Sequence, residues 1–327
     1  QWSSSAASDV YKRQSLDYSG KNVVVIGSGA TAATIVPEIA KEANLVTMLQ
    51  RSPTYFVSRP DEDRVALFLK KFLPKSLVYA LIRFKNVYIQ QSLFKRVRAF
   101  PDRSKKFLID QVKKELPDFD VDKHFTPSYN PWEQRMCLIP NSDFFNAIKD
   151  KSATVVTDHI EAFEENGIKL KSGDFLEADI IVTATGLVLQ NFGGVNISVN
   201  NNPVKVSETM TYKSLMYSDI PNFVNSFGYI NASWTLKADL TSTYLCRLIK
   251  HMDQNNYLSA CPKKPLDVDE TYDWLKDFSS GYIQRSIGLH PQQGSKKPWV
   301  NYQDYIKDWF DVKFSKLEDG NLVFSKD

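Results

Sequence analysis

The sequence has few cysteines and no Cys-x-x-Cys pair. Cys137, Cys246 and Cys261 stand far apart, which argues against a dithiol centre, a thiolate zinc site and a disulfide framework. The four histidines, His124, His159, His251 and His290, show no metal-ligand spacing and read as packed or surface residues. No apolar run approaches the ~20 residues that span a bilayer. The chain opens without methionine and without the apolar core of a signal peptide. Its first stretch, QWSSSAASDVYKRQ, has no period, so residues 1–14 are expected to be a non-native leader, with native sequence from Ser15 and something lost before it. There is no internal repeat and no low-complexity tract. A net charge of +3 over 327 residues is too small to argue for nucleic acid. What is present, 43% hydrophobic and 24% charged residues, describes a globular protein of one large or two ordinary domains, expected in a reducing cytoplasm.

The most informative stretch is KNVVVIGSGATAATIVPEIAKEANLVTMLQRSP, Lys21 to Pro53. Val23 to Ile26 read as a buried parallel strand. The turn Gly27-Ser28-Gly29-Ala30-Thr31-Ala32 opens a helix expected over Ala30 to Ala43, and a second strand is expected over Leu45 to Leu49. This is G-x-G-x-x-A in its strand–turn–helix setting, the fingerprint of a dinucleotide site. Gly27 permits the tight turn, Gly29 lets a pyrophosphate approach the backbone, and Ala32 lets the helix pack close to the strand. An acid after the second strand would hold the ribose 2′-hydroxyl of NAD. Here stand Gln50, Arg51 and Ser52, and a guanidinium with a hydroxyl suits a 2′-phosphate. NADPH is therefore expected. The alternative is a glycine turn that only packs and an Arg51 that is only a solvated charge.

From Asp61 to Pro117 the spacing predicts helices, and KKFLPK, FKRVR and RSKK make the segment basic. It reads as a helical subdomain with a solvated basic face, or as a surface that touches a membrane or covers a substrate cavity. Pro127, Pro131 and Pro140 predict a loop, followed by a helix from Asp143 capped by Asn141 or Ser142. Strands are expected at ATVVTD, in a hairpin at Asn166-Gly167, and at DIIVTATG. Further on, a strand is expected at Phe223 to Phe227 and a long helix from Ser233, its N-cap, to His251. KKPWVNYQDYIKDWF reads as ending in an aromatic helix or loop.

Four segments, VVVIGSGATAAT…LQRSP, YNPWEQRMCLIPNSDFF, DIIVTATGL and FGYINASWTLKADLTSTYLCRLIKHM, resemble the class B flavoprotein monooxygenases of Baeyer–Villiger type, and within them the ethionamide-activating subfamily. The likeness extends over residues 15–312. It implies an α/β fold of two-dinucleotide-binding architecture. A doubly wound NADPH-binding domain with a helical insertion is expected over residues 15–183, and the C-terminal part of an FAD-binding domain over residues 184–327. Thr185 and Gly186 would lie at the crossing. The family's FAD fingerprint is not found here, which puts FAD binding by this stretch alone in doubt.

The resemblance implies an enzyme using FAD, NADPH and O2 to oxidise a small ketone to an ester or lactone through a C4a-peroxyflavin. Sulfides and amines are the alternative substrates, and a catalytically silent NADP-binding module is the alternative from another class. Arg135, in WEQRMC, matches the family's active-site arginine, whose fixed charge would stabilise anionic oxygen. Gln134 stands where many members carry lysine, so Arg51 would bear more of the 2′-phosphate. Asn231 and Ser233, in GYINASW, are expected beside the flavin. No nucleic-acid partner is expected, peripheral membrane contact is left open, and the oligomeric state is not legible.

Overall fold

The computed structural model describes residues 16–264, 271–275 and 278–326; the leader expected over residues 1–14 lies outside them. Contacts divide the chain into two units. One comprises Gln1–Pro74 with Val97–Leu187, and the other Lys75–Arg96 with Val188–Asp327.

The first unit begins with β1 (Asn22–Ile26), α1 (Ala30–Ile39), β2 (Leu45–Gln50) and β3 (Phe56–Arg59). Next come α2 (Arg64–Leu69), α3 (Lys75–Ala99), of which Lys75–Arg96 belong to the other unit, α4 (Pro101–Glu115) and the short α5 (Val121–His124). β4 (Cys137–Pro140), α6 (Asp143–Lys149) and β5 (Ala153–Thr157) follow. The unit ends with β6 (Ile160–Glu164), β7 (Gly167–Leu170), β8 (Phe175–Glu177) and β9 (Ile180–Thr183).

Its centre is a parallel sheet in the order β5-β2-β1-β9. Successive residues of β1 point to opposite faces. Val23 and Val25 pack with Ala32, Ala33, Val36, Phe144 and Phe145 beneath α1 and α6. Val24 packs with Leu49, Ile168 and Leu170 of the antiparallel β6-β7-β8 sheet, which covers the other face. That two-sided burial is why β1 is apolar throughout rather than alternating.

Three local expectations change. α1 ends at Ile39, not Ala43. Beyond it the chain frays into turns that mix i→i−4 and tighter i→i−3 bonds, Ala43 N–H and Glu42 N–H both donating to Ile39 O, at 3.0 and 3.1 Å. The proline-rich loop conceals β4, which pairs in parallel with β3. Buried Cys137 and Ile139 alternate there with exposed Leu138, and Pro140 is tolerated at the strand's end. Ser142 occupies the N-cap position of α6 in left-handed conformation without capping it. Its hydroxyl is engaged with Ser58 at 2.6 Å and Glu115 at 2.9 Å, while Asp143 accepts from the Phe144 N–H at 2.7 Å.

The second unit sets short antiparallel pairs among its helices. Its strands are β10 (Ser198–Val199), β11 (Asn202–Pro203), β12 (Thr211–Tyr212), β13 (Met216–Tyr217), β14 (Ser259–Pro262), β15 (Thr271–Asp273), β16 (Gln292–Gly294) and β17 (Leu322–Ser325). The helices are α7 (Trp234–Asn255), α8 (Gly281–Gln284) and α9 (Tyr305–Phe314). Leu240, Tyr244 and Leu248 of α7 meet Val312 of α9 in a core with Met210, Tyr212 and Met216.

No strand forms over Phe223 to Phe227. Asn222 donates its N–H to Ala260 on β14, and Asn225 donates its N–H to Leu215 in the turn between β12 and β13. Phe223 packs edge-on against Phe192, at 5.1 Å, so its apolar character serves packing rather than a ladder. Residues 75–96 of α3 group with this unit although the sequence reading counts them with the first. The cause is visible in their partners: Arg83 pairs with Asp239 at 2.7 Å, Lys95 with Asp304 at 2.9 Å, and Val87 packs on Tyr229, Ala232 and Leu236.

Candidate functional site

β1 and α1 are joined by Gly27, Ser28 and Gly29, and the two glycines serve different ends. Gly27 has φ +134°, and a Cβ there would lie 2.3 Å from the carbonyl oxygen of Ala184. Its N–H donates to Leu49 O at 2.8 Å, and Ala184 N–H donates to Ile26 O at 2.8 Å. The turn is thus clasped between the ends of β2 and β9. A Cβ on Gly29 would meet nothing within 4 Å. Gly29 is the N-cap of α1 and brings no side chain, and the first turn holds no acid. The leading N–H groups therefore lack a side-chain acceptor at the positive end of the helix dipole, which is an anion site. Ala30 and Thr31 are exposed and Ala32 is fully buried, the division that the fingerprint requires.

The Ser28 hydroxyl donates to the Ser52 carbonyl at 3.3 Å, so the glycine turn is tied to the segment after β2. Arg51 and Ser52 are exposed there, and Arg51 forms no salt bridge among the described residues. Gln50 turns inward instead. It is 1% exposed, and its amide donates to His124 O at 2.7 Å and to Thr157 Oγ1 at 2.8 Å.

His124 Nδ1 lies 2.8 Å from the same hydroxyl. Burial pushes the His124 pKa below its ordinary 6.5, Lys123 adds to this, and Asp120 opposes it. The unfolded chain then binds more protons than the folded one in the interval beneath 6.5, so this contribution is full above 6.5 and is lost as pH falls. His124→Gln is expected to flatten the loss of thermal stability between pH 7 and 5. An unaltered profile would remove His124 from that role.

The segment before β4 brings the second arginine to the same unit. Asn130 donates its N–H and its amide to Glu133, at 3.0 and 2.9 Å, and Pro131 bridges to Gln134. Gln134 is half-buried and Arg135 is exposed. Two residues on, the Cys137 thiol approaches Ser28 O at 3.7 Å. Burial pushes that thiol up to about 12, and the Arg135 charge pulls weakly the other way. Cys137 is therefore a packing group, not a nucleophile. Thr185 and Gly186, both exposed, follow Ala184 directly. Gly27 to Ala32, Arg51, Ser52, Thr185 and Gly186 thus gather at the carboxyl end of the parallel sheet, where open α/β sheets bind ligands. Sequence reasoning missed the Cys137 and His124 contacts, because one depends on β4 lying beside the Gly27 turn and the other on α5 reaching β2 and β5.

In the second unit Asn231 is 4% exposed, and its amide donates to Gln303 O at 2.9 Å. Ile230 N–H donates to Gln303 Oε1 at 2.8 Å, and Gln90 donates to Asn231 O at 3.0 Å. The side chain of Asn231 therefore secures this loop from inside. Ser233 stands at the N-cap of α7 as expected, but its hydroxyl pairs with Thr235 Oγ1 at 2.8 Å and does not cap the helix. Gly228 admits the indole of Trp234, which a Cβ would meet at 2.1 Å.

No family model matches the chain. The chain is 47% identical over 316 residues to the FAD-containing monooxygenase EthA of Mycobacterium tuberculosis, covering 96% of the chain and 64% of that protein. The chain is thus similar to FAD-containing monooxygenases over nearly all of its length. It is also 43% identical over 314 residues to the probable FAD-binding monooxygenase AlmA of an Acinetobacter species, covering 96% of the chain and 63% of that relative. The chain spans a little less than two thirds of the length of these relatives. Among solved structures, an oxidised steroid monooxygenase bound to NADP superposes with a TM-score of 0.67 at 18% identity, over 95% of the chain and 68% of that protein. OTEMO in complex with FAD and NADP gives 0.57 at 19% identity, over 77% and 55%. These likenesses establish the two-dinucleotide-binding architecture of the family.

Proposed function

We propose that the chain supplies the NADPH-binding domain and the C-terminal part of the FAD-binding domain of a monooxygenase that inserts one atom of O2 into a small ketone, giving an ester or lactone. The observation that carries the reading is the cradle at Gly27 to Ala32. It has open space over Gly29, uncapped N–H groups, no acid, and an unpaired guanidinium at the end of β2. These residues fit a pyrophosphate with a 2′-phosphorylated ribose. When bound, NADPH supplies a hydride, and FAD the centre at which O2 is activated.

The chain's own residues do the rest. The first-turn N–H groups of α1 hold the pyrophosphate, and Arg51 with the Ser52 hydroxyl meets the 2′-phosphate. Gln134 offers that phosphate a hydrogen bond but no charge, so Arg51 carries the discrimination. Thr185 and Gly186 continue the carboxyl edge of the sheet beside this cradle. In the second unit, Asn231 fixes the loop before α7, and Ser233 leaves the N–H groups of that helix free to meet an electron-rich part of the flavin. Arg135 brings a guanidinium that favours anionic over protonated oxygen. That preference selects attack on a ketone carbonyl over oxygen transfer to sulfur or nitrogen.

Two measurements test the reading. Arg51→Ala is expected to weaken NADP+ binding to the chain roughly ten- to a hundredfold, the worth of a hydrogen bond to a charged group, and to leave NAD+ binding unchanged. Equal loss for both would remove the phosphate role. In a polypeptide extended to the full length of the relatives, a product screen over linear, cyclic and aryl ketones with sulfides included is expected to yield esters. Sulfoxides alone would replace the ketone reading, and no product with any compound would leave an NADP-binding module.

A further inference from the structure

Residues 64–117 hold fourteen of the chain's 41 lysines and arginines but three of its 38 acids, leaving 27 cations against 35 acids elsewhere. The positive net charge thus comes from one helical segment on an otherwise acidic protein. Within it, α3 runs for 25 residues without an Asp or Glu. Arg83 and Lys95 are engaged with Asp239 and Asp304, whereas Lys75, Arg96 and Arg98 lie exposed.

The same helix keeps large apolar groups in water. Leu77, Leu81, Phe84 and Tyr88 follow at i, i+4, i+7 and i+11, which is one face of a helix. They are 45%, 44%, 73% and 58% exposed, and the rings of Phe84 and Tyr88 stack at 6.4 Å. A row of this kind marks an interaction surface rather than the scatter of single apolar residues normal on a protein.

We propose that α3 is a docking element for an anionic lipid surface, its apolar row lying at the boundary of headgroups and acyl chains and its cations on lipid phosphates. Among the described residues no helix is long and apolar enough to cross a membrane, so the helix lies on the surface. A second copy is a poor occupant, because an acid-free helix against itself sets cation against cation. Nucleic acid would satisfy the cations but leave the apolar row in water.

Flotation of the 327-residue chain with vesicles decides the matter, using phosphatidylcholine alone or mixed with phosphatidylglycerol. The chain is expected to float with the anionic vesicles and to be released as salt rises. Leu81→Ser with Phe84→Ser is expected to weaken that binding roughly tenfold or more. Arg96→Gln and Arg98→Gln are each expected to weaken it about fivefold. Circular dichroism and NADP+ affinity should stay unchanged in all of these variants. Equal binding to neutral vesicles, insensitivity to the Leu81 and Phe84 changes, or self-association or DNA binding without vesicle binding would each overturn the proposal.

Discussion

Arg135→Ala is expected to lower product formation about a thousandfold in a polypeptide of the relatives' full length, with NADPH consumption largely intact. The size follows from electrostatics. A unit charge ~4 Å from developing negative charge contributes about 4 kcal/mol at an effective dielectric near 20, and 4 kcal/mol is close to a thousandfold in rate. The split between the two readouts follows from position. Arg135 lies before β4, in a segment secured by Asn130 and Glu133, while the cradle proposed for the nicotinamide dinucleotide is built by the Gly27 turn and Arg51. Removing the guanidinium should therefore spare cofactor binding and remove the charge that favours anionic oxygen. Arg135→Lys should recover part of the activity at neutral pH, since it restores charge without the planar fork. Product yield unchanged by Arg135→Ala would end the assignment, and so would a parallel loss of NADPH consumption.

The cradle was legible because its logic is local. Strand, glycine turn and helix follow one another within Asn22–Ile39, and each residue type answers a constraint of that stretch. Gly27 shows the limit of such reading: its position is evident from the motif, but the Ala184 carbonyl that leaves no room for a Cβ there depends on β9, more than 150 residues on. β4 was hidden because its prolines speak for a loop, whereas its pairing with β3 is a long-range event. Phe223 to Phe227 misled in the opposite sense, since apolar residues packed on Phe192 and Tyr217 have the composition of a strand without the ladder. Ser142 and Ser233 sit at helix starts, yet each hydroxyl finds another partner. Propensity located those helices; tertiary contacts decided how their ends are satisfied.

The same dependence on distant partners makes Asp308 the residue of the second unit whose loss should cost most. Its Oδ2 accepts from Lys237 at 2.8 Å and from the Tyr229 hydroxyl at 2.6 Å, and the Lys237 and Asp308 side chains are 2% and 7% exposed. Burial first, and the Asp308 charge second, hold the Tyr229 phenol protonated far above its usual range, so it remains a donor. In Asp308→Ala the ammonium of Lys237 keeps one hydrogen-bond acceptor among the described residues, the Lys213 carbonyl at 3.4 Å. A buried charge left unpaired in this way costs about 3–5 kcal/mol. Replacing both charges, as in Lys237→Met with Asp308→Leu, should cost much less, because no charge is then stranded. Urea unfolding of the two single variants and the double variant measures the coupling. Tyr229 directly precedes Ile230 to Ser233, so the single variant should also loosen the loop before α7, seen as faster amide exchange there. If Asp308→Ala costs under about 1 kcal/mol, or the double variant is as unstable as the single, the pair is not what anchors that loop.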